Sequence, residues 1–121
     1  MGASIKNYDR VFAMSFSSVY TLYIEKVEKK GRTVDELNEV IQWLTGYSKT
    51  QLQQQVDTKT SFEIFFNQMP FFNPNANKIT GTICGYKVEE IEHPLMQKIR
   101  YLDKLVDELA KGKPMHKILR C

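Results

Sequence analysis

Apolar residues recur at three- and four-residue steps along most of the chain, the period at which side chains return to one face of an α-helix. In the segment 15–31, Phe16, Val19, Tyr20, Tyr23 and Val27 form such a stripe, with Ser15 where an N-cap belongs and Gly31 just past the end. Thr33 and Glu36 then have capping-box spacing, in which the cap side chain and the third helical residue satisfy each other's backbone N–H. Val34, Leu37, Val40, Ile41 and Leu44 follow as the inner stripe of a second helix that Gly46 ends. The same spacing recurs at Ser48 and Gln51, ahead of a short helix anchored by Leu52 and Val56. It recurs again at Thr60 and Glu63, around the bulky face of Phe62, Phe65, Phe66 and Met69. Pro70 stops that run, because a prolyl nitrogen has no proton to donate.

Residues 71 to 93 are less regular. Asn73 before Pro74 has the form of a cap with proline at the first helical position, and Ala76, Ile79 and Ile83 continue a helical stripe to Gly85. Ile79, Gly81, Ile83 and Gly85 also alternate, and Thr80 and Thr82 favour strands. A helix is expected over this stretch, since a strand here has no evident partner run elsewhere in the chain. Pro94 opens the strongest pattern, with Leu95, Ile99, Leu102, Val106 and Leu109 on one face and Gly112 after them. Pro114 then begins a last turn carrying Met115, Ile118 and Leu119. The pattern predicts an all-α fold, a single-domain orthogonal bundle of about six or seven mostly short helices. Residues 1–14 are expected as a partly irregular N-terminal segment, and 15–121 as the helical domain.

The stretches RVFAMSF, VYTLYIEKVEKKGRT, VIQWLTGY, FFNPNANKITGTICG, VEEIEHPLMQKIRYLDKLVDELAKGK and KILR resemble the uncharacterised prokaryotic family catalogued as domain of unknown function 2200. The resemblance runs from about Arg10 to Arg120. It implies a small, all-helical, orthogonally packed bacterial domain, and it implies no activity, catalytic residue or ligand.

At 121 residues, with 42% hydrophobic and 26% charged side chains, the chain is the size of one domain and can bury a core without a metal or disulfide staple. No apolar run approaches the ~18 residues of a spanning helix. The first ten residues lack a signal-peptide core, so a cytoplasmic protein without membrane contact is expected. The net charge of +3 is unevenly placed. Residues 1–97 hold 10 basic and 11 acidic side chains, whereas 98–121 hold 7 basic and 3 acidic.

On the main helix Lys104 has the spacing to pair with Glu108, and Lys111 with Asp107. Lys113, Lys117 and Arg120, with His116 among them, are left as candidate anion contacts. So small an excess would neutralise few phosphates, which argues against a nucleic-acid partner.

Other chemistry is sparse. Cys84, His93, His116 and Cys121 are the soft metal ligands, and their spacing matches no zinc motif, so no metal and no cofactor are expected. Cys84 reads as a small buried thiol, His93 as a turn residue and His116 as exposed. Ser15, Ser17 and Ser18 lack a nucleophile elbow, and capping accounts for them. Gly81 and Gly85 are followed by no phosphate-loop Lys-Ser or Lys-Thr. Glu89, Glu90 and Glu92 suit the positive end of the next helix; an acid–base or cation site would require them to converge with Asp103 or Asp107. Trp43 with Phe62, Phe65 and Phe66 reads as core.

The pair Phe71 and Phe72 is different, since adjacent bulky rings cannot both face one core and an amide-rich stretch with Asn73, Asn75 and Asn77 follows. Phe71, Phe72, Asn73 and Asn75, together with Tyr86, Arg100 and Tyr101, are the candidate pocket or partner surface. The function this predicts is a non-enzymatic interaction or small-ligand-binding module, its partner a second copy or another protein. The alternatives are an enzyme with a carboxylate-based site and a weak nucleic-acid binder using the basic C-terminus.

Overall fold

Side-chain caps set most of the helix starts in the computed structural model, which describes residues 8–120. The elements are α1 (Tyr8–Ala13), α2 (Phe16–Lys29), α3 (Val34–Thr45), α4 (Lys49–Asp57), α5 (Phe62–Asn67), a 3₁₀ turn (Pro74–Lys78), strands β1 (Thr82–Ile83) and β2 (Tyr86–Lys87), a second 3₁₀ turn (Val88–Glu90), α6 (Pro94–Ala110) and α7 (Met115–Ile118). Ser15 accepts from the Ser18 N–H at 3.2 Å. The Thr33–Glu36 box closes at 3.1 and 3.0 Å, and the Ser48–Gln51 box at 3.1 and 2.9 Å.

The third expected box does not form. Ser61 caps α5 by accepting from the Ile64 N–H at 3.2 Å, while the Thr60 hydroxyl pairs with Thr58 at 2.8 Å. An antiparallel bridge between Ser15 and Ser61 explains the one-residue shift. Phe16 N–H donates to Thr60 O at 2.6 Å and Phe62 N–H to Met14 O at 2.8 Å, so Thr60 and Ser61 are held extended and the helix begins after them. Ile64 then occupies the third helical position and has nothing to reach back with.

The helical reading of residues 78–91 is also overturned. After the Pro74–Lys78 turn the chain extends, and Thr82 and Ile83 pair with Lys87 and Tyr86 across a two-residue turn. Cys84 and Gly85 there have φ of +53° and +84°, the two positive values a type I′ hairpin turn demands. The partner strand lies three residues away in sequence, and the hairpin survives because β1 packs on α6 with Ile79 and Val88 wholly buried beside it. Cys84 is consequently exposed at a turn tip, not the buried thiol expected.

One further helix was not predicted. The six residues of α1 are too few for a period to show, yet Phe12 is buried and α1 packs on α5. At the centre lies α6, in contact with α2, α3, α5, α7 and β1. Ile99, Leu102, Leu105, Val106 and Leu109 are its buried stripe, facing Phe16, Val27, Leu37, Ile41 and Phe65 of the surrounding helices. Phe16 and Phe65 stack with centroids 3.9 Å apart. Among the described residues no helix is long and apolar enough to cross a membrane.

Candidate functional site

The Phe71–Phe72 segment is held by the end of α3. A helix leaves its last carbonyls without intrahelical partners, and this strand of chain supplies them. Phe71 N–H donates to Thr45 O at 3.1 Å, Asn73 N–H to Leu44 O at 3.0 Å, and the Asn73 side-chain amide to Trp43 O at 3.2 Å. Gly46 makes the approach feasible. Its φ is +77°, and a Cβ there would stand 2.8–2.9 Å from the Phe71 backbone and Cβ. With the main chain fixed, adjacent side chains part: Phe72 stacks on the buried Tyr101 ring at 6.3 Å, and Phe71 points outward, 64% exposed. Lys98 places its ammonium 5.2 Å from the centre of the Phe72 ring, a contact that pattern reading did not find.

The seven predicted residues are therefore only partly brought together. Phe72 and Tyr101 stack, with Phe71 exposed next to them in the chain. Asn73 and Asn75 spend their amides internally, the latter donating to Arg120 O at 3.2 Å. Arg100 turns away, with Nη1 2.7 Å from Asp103 Oδ2 and 3.5 Å from Cys84 Sγ. Tyr23 donates its hydroxyl to the other Asp103 oxygen at 2.5 Å. Burial, then the Asp103 charge, push the Tyr23 hydroxyl well above its ordinary range. Burial opposes the Arg100 charge, but Asp103 outweighs it and raises that group too. This is a polar tie between α2 and α6. Tyr86, 59% exposed, lies on β2 and lines a separate groove with Glu90, Glu92 and His93.

The acidic residues serve different partners. Glu89 accepts from the Gly81 N–H at 3.0 Å, and Asp107 is held by Lys26 at 3.3 Å and Lys111 at 3.1 Å. Burial alone would raise the Asp107 carboxyl, but those two ammonium groups win and lower it. Among the described residues no three His, Cys, Asp or Glu side chains are placed to hold a metal ion.

The expected pairing at the C-terminus needs correction as well. Lys104 donates to Thr82 O at 3.2 Å and not to Glu108. Glu108, nearly buried, receives both arms of Arg120 at 2.8 Å and Lys113 at 3.4 Å. Two of the three cations expected to be unpaired thus neutralise one carboxylate, because the turn after Gly112 brings α7 back over α6. Lys117 is exposed beside Lys104, Lys111 and Lys113.

Arg32 is the structural residue that spacing did not reveal. Its Nε and Nη2 grip Glu36 at 3.1 and 3.0 Å, while Nη1 donates to Leu109 O at 3.2 Å and Lys113 O at 2.9 Å. One guanidinium thereby closes the α2–α3 link and covers the carbonyl end of α6. Its bonds to the Glu36 carboxylate, with the Thr33 N–H, hold that carboxyl at about 2.

The model of a family described as uncharacterized protein conserved in bacteria, DUF2200, matches residues 10–120. The crystal structure of uncharacterized protein SP1917 superposes with a TM-score of 0.87 at 44% sequence identity, covering 91% of this chain and 90% of that one. Among curated proteins none matches this chain.

Proposed function

The chain belongs to DUF2200, a family of uncharacterised bacterial proteins, and we propose that it is a cytoplasmic protein-interaction module whose anchor is Phe71. One observation carries this reading: a large aromatic side chain, 64% exposed, stands on a backbone that cannot relax. Hydrogen bonds to Thr45 and Leu44, and the close seat of Gly46 beneath, fix its position. A backbone ordered in advance lowers the entropy cost of docking, and interfaces draw most of their affinity from a few such aromatic anchors. Phe72, Tyr101 and the Lys98 ammonium form the floor beside it. The carboxylates Asp103 and Asp107 are engaged as structural partners, which leaves a carboxylate-based enzyme less well supported than a binding surface.

Native-state sizing in soluble bacterial extract tests the proposal. The wild-type chain is expected in an assembly larger than itself that Phe71→Ser abolishes, whereas Leu22→Ser, at another exposed apolar site, leaves it intact. Equal migration of all three proteins would count against an anchor at Phe71.

A further inference from the structure

We infer that the groove between α1, β2 and the start of α6 binds an organic cation, an ammonium or guanidinium group. Its volume is about 470 Å³, and Tyr8, Tyr86 and His93 give it three aromatic walls. His93 is fixed from two sides. Its Nδ1 accepts from the Met96 N–H at 3.4 Å as the cap of α6, and its ring packs edge-on to Tyr8 at 5.3 Å and against Phe12 at 5.2 Å. Tyr86 is presented from the hairpin, its ring largely exposed. The phenol ring faces of Tyr8 and Tyr86 carry negative potential and attract cations.

Formal charge gives the same sign. Glu90 and Glu92 line the groove against a single cation, Lys87. Among the described residues, the adjoining groove across His93 adds Asp9 and Glu63 and no Lys or Arg. Among the described residues lining the two grooves, four carboxylates to one lysine mark this surface as the reverse of the chain as a whole, which carries an excess of cations. The acids are spread along the walls, and none of the described groups converge as a metal ion requires. A cation with alkyl or planar bulk fits that layout, since it meets rings and carboxylates at several points.

The test is aromatic and amide NMR on the full chain, titrated with spermidine, with N-acetyl-arginine amide and with the neutral isostere N-acetyl-citrulline amide. Saturable shifts at Tyr8, Tyr86 and His93 are expected with the two cations and not with citrulline. Tighter binding of spermidine would assign a free polyamine, and tighter binding of the arginine amide a basic side chain of a peptide. Joint Glu90→Gln and Glu92→Gln substitution should weaken binding about threefold or more, as loss of exposed ion pairs does, and Tyr86→Leu should weaken it as well. Both variants alter exposed side chains, and unchanged core methyl signals would show that the fold is intact. Absence of saturable shifts with both cations, or equal shifts with citrulline, would overturn the assignment.

Discussion

Arg32 joins distant parts of the chain, since its guanidinium reaches Glu36 on one side and the carbonyls of Leu109 and Lys113 on the other. Arg32→Met would leave those carbonyls without their charged donor. It should cost about 2 kcal/mol, the scale of charge-assisted hydrogen bonds, read as a fall of roughly 10 °C in Tm. Glu36 gives the same tie a pH signature. Its folded-state carboxyl sits at about 2, below the ordinary 4.5, so the stabilisation is complete above the ordinary value and is lost as pH falls toward the folded one. Thermal melts of Glu36→Gln against wild type should show a deficit at neutral pH that shrinks through that acid window. A deficit constant with pH would mean that the carboxylate charge is not what matters. Neither partner was legible beforehand as a cross-domain tie, because sequence shows Glu36 as a capping residue and shows nothing of Leu109 or Lys113 across the core.

Elements that draw on neighbours within four residues were legible, and those that draw on distant ones were not. The Thr33–Glu36 and Ser48–Gln51 boxes formed as their spacing predicts, because every participating atom is local. The Thr60–Glu63 box failed because residues 14–16 lie antiparallel to 60–62 and hold them extended. Residues 78–91 were misread because alternation over two-residue strands is too short to outweigh a helical stripe, and the signal was instead the turn chemistry of Cys84-Gly85. Since asparagine accepts positive φ better than cysteine does, Cys84→Asn should stabilise the chain by a few tenths of a kcal/mol, about 0.3–0.5, in denaturant titration. Gly46→Ala should do the opposite. Positive φ and a 2.8 Å approach to the Phe71 nitrogen leave no room for a methyl group, so a loss of about 2 kcal/mol or more is expected, with Phe71 displaced.

Across the whole molecule the packing converges on α6, and the surface divides around it. Leu102 is wholly buried midway along that helix, so Leu102→Ala should cost about 2–5 kcal/mol by calorimetry, the range for emptying a tightly packed site. The basic C-terminal excess is smaller in space than in sequence, because Arg120 and Lys113 are drawn onto Glu108. Of the candidate surface residues, the outward turn of Phe71 was legible in the sequence, because local crowding parts it from Phe72, which stacks on Tyr101. The position of Tyr86 was not legible, since it depends on the hairpin, nor was the turn of Arg100 toward Asp103 on its own helix. Membership of the bacterial family and the likeness to SP1917 extend over nearly the whole chain. The most direct measurement is in-cell photocrosslinking with p-benzoylphenylalanine placed at Phe71, compared with the same probe at Leu22. A discrete adduct is expected from position 71, lost when Gly46→Ala shifts the segment. No adduct at 71, or the same adduct from both positions, would contradict an anchor at Phe71.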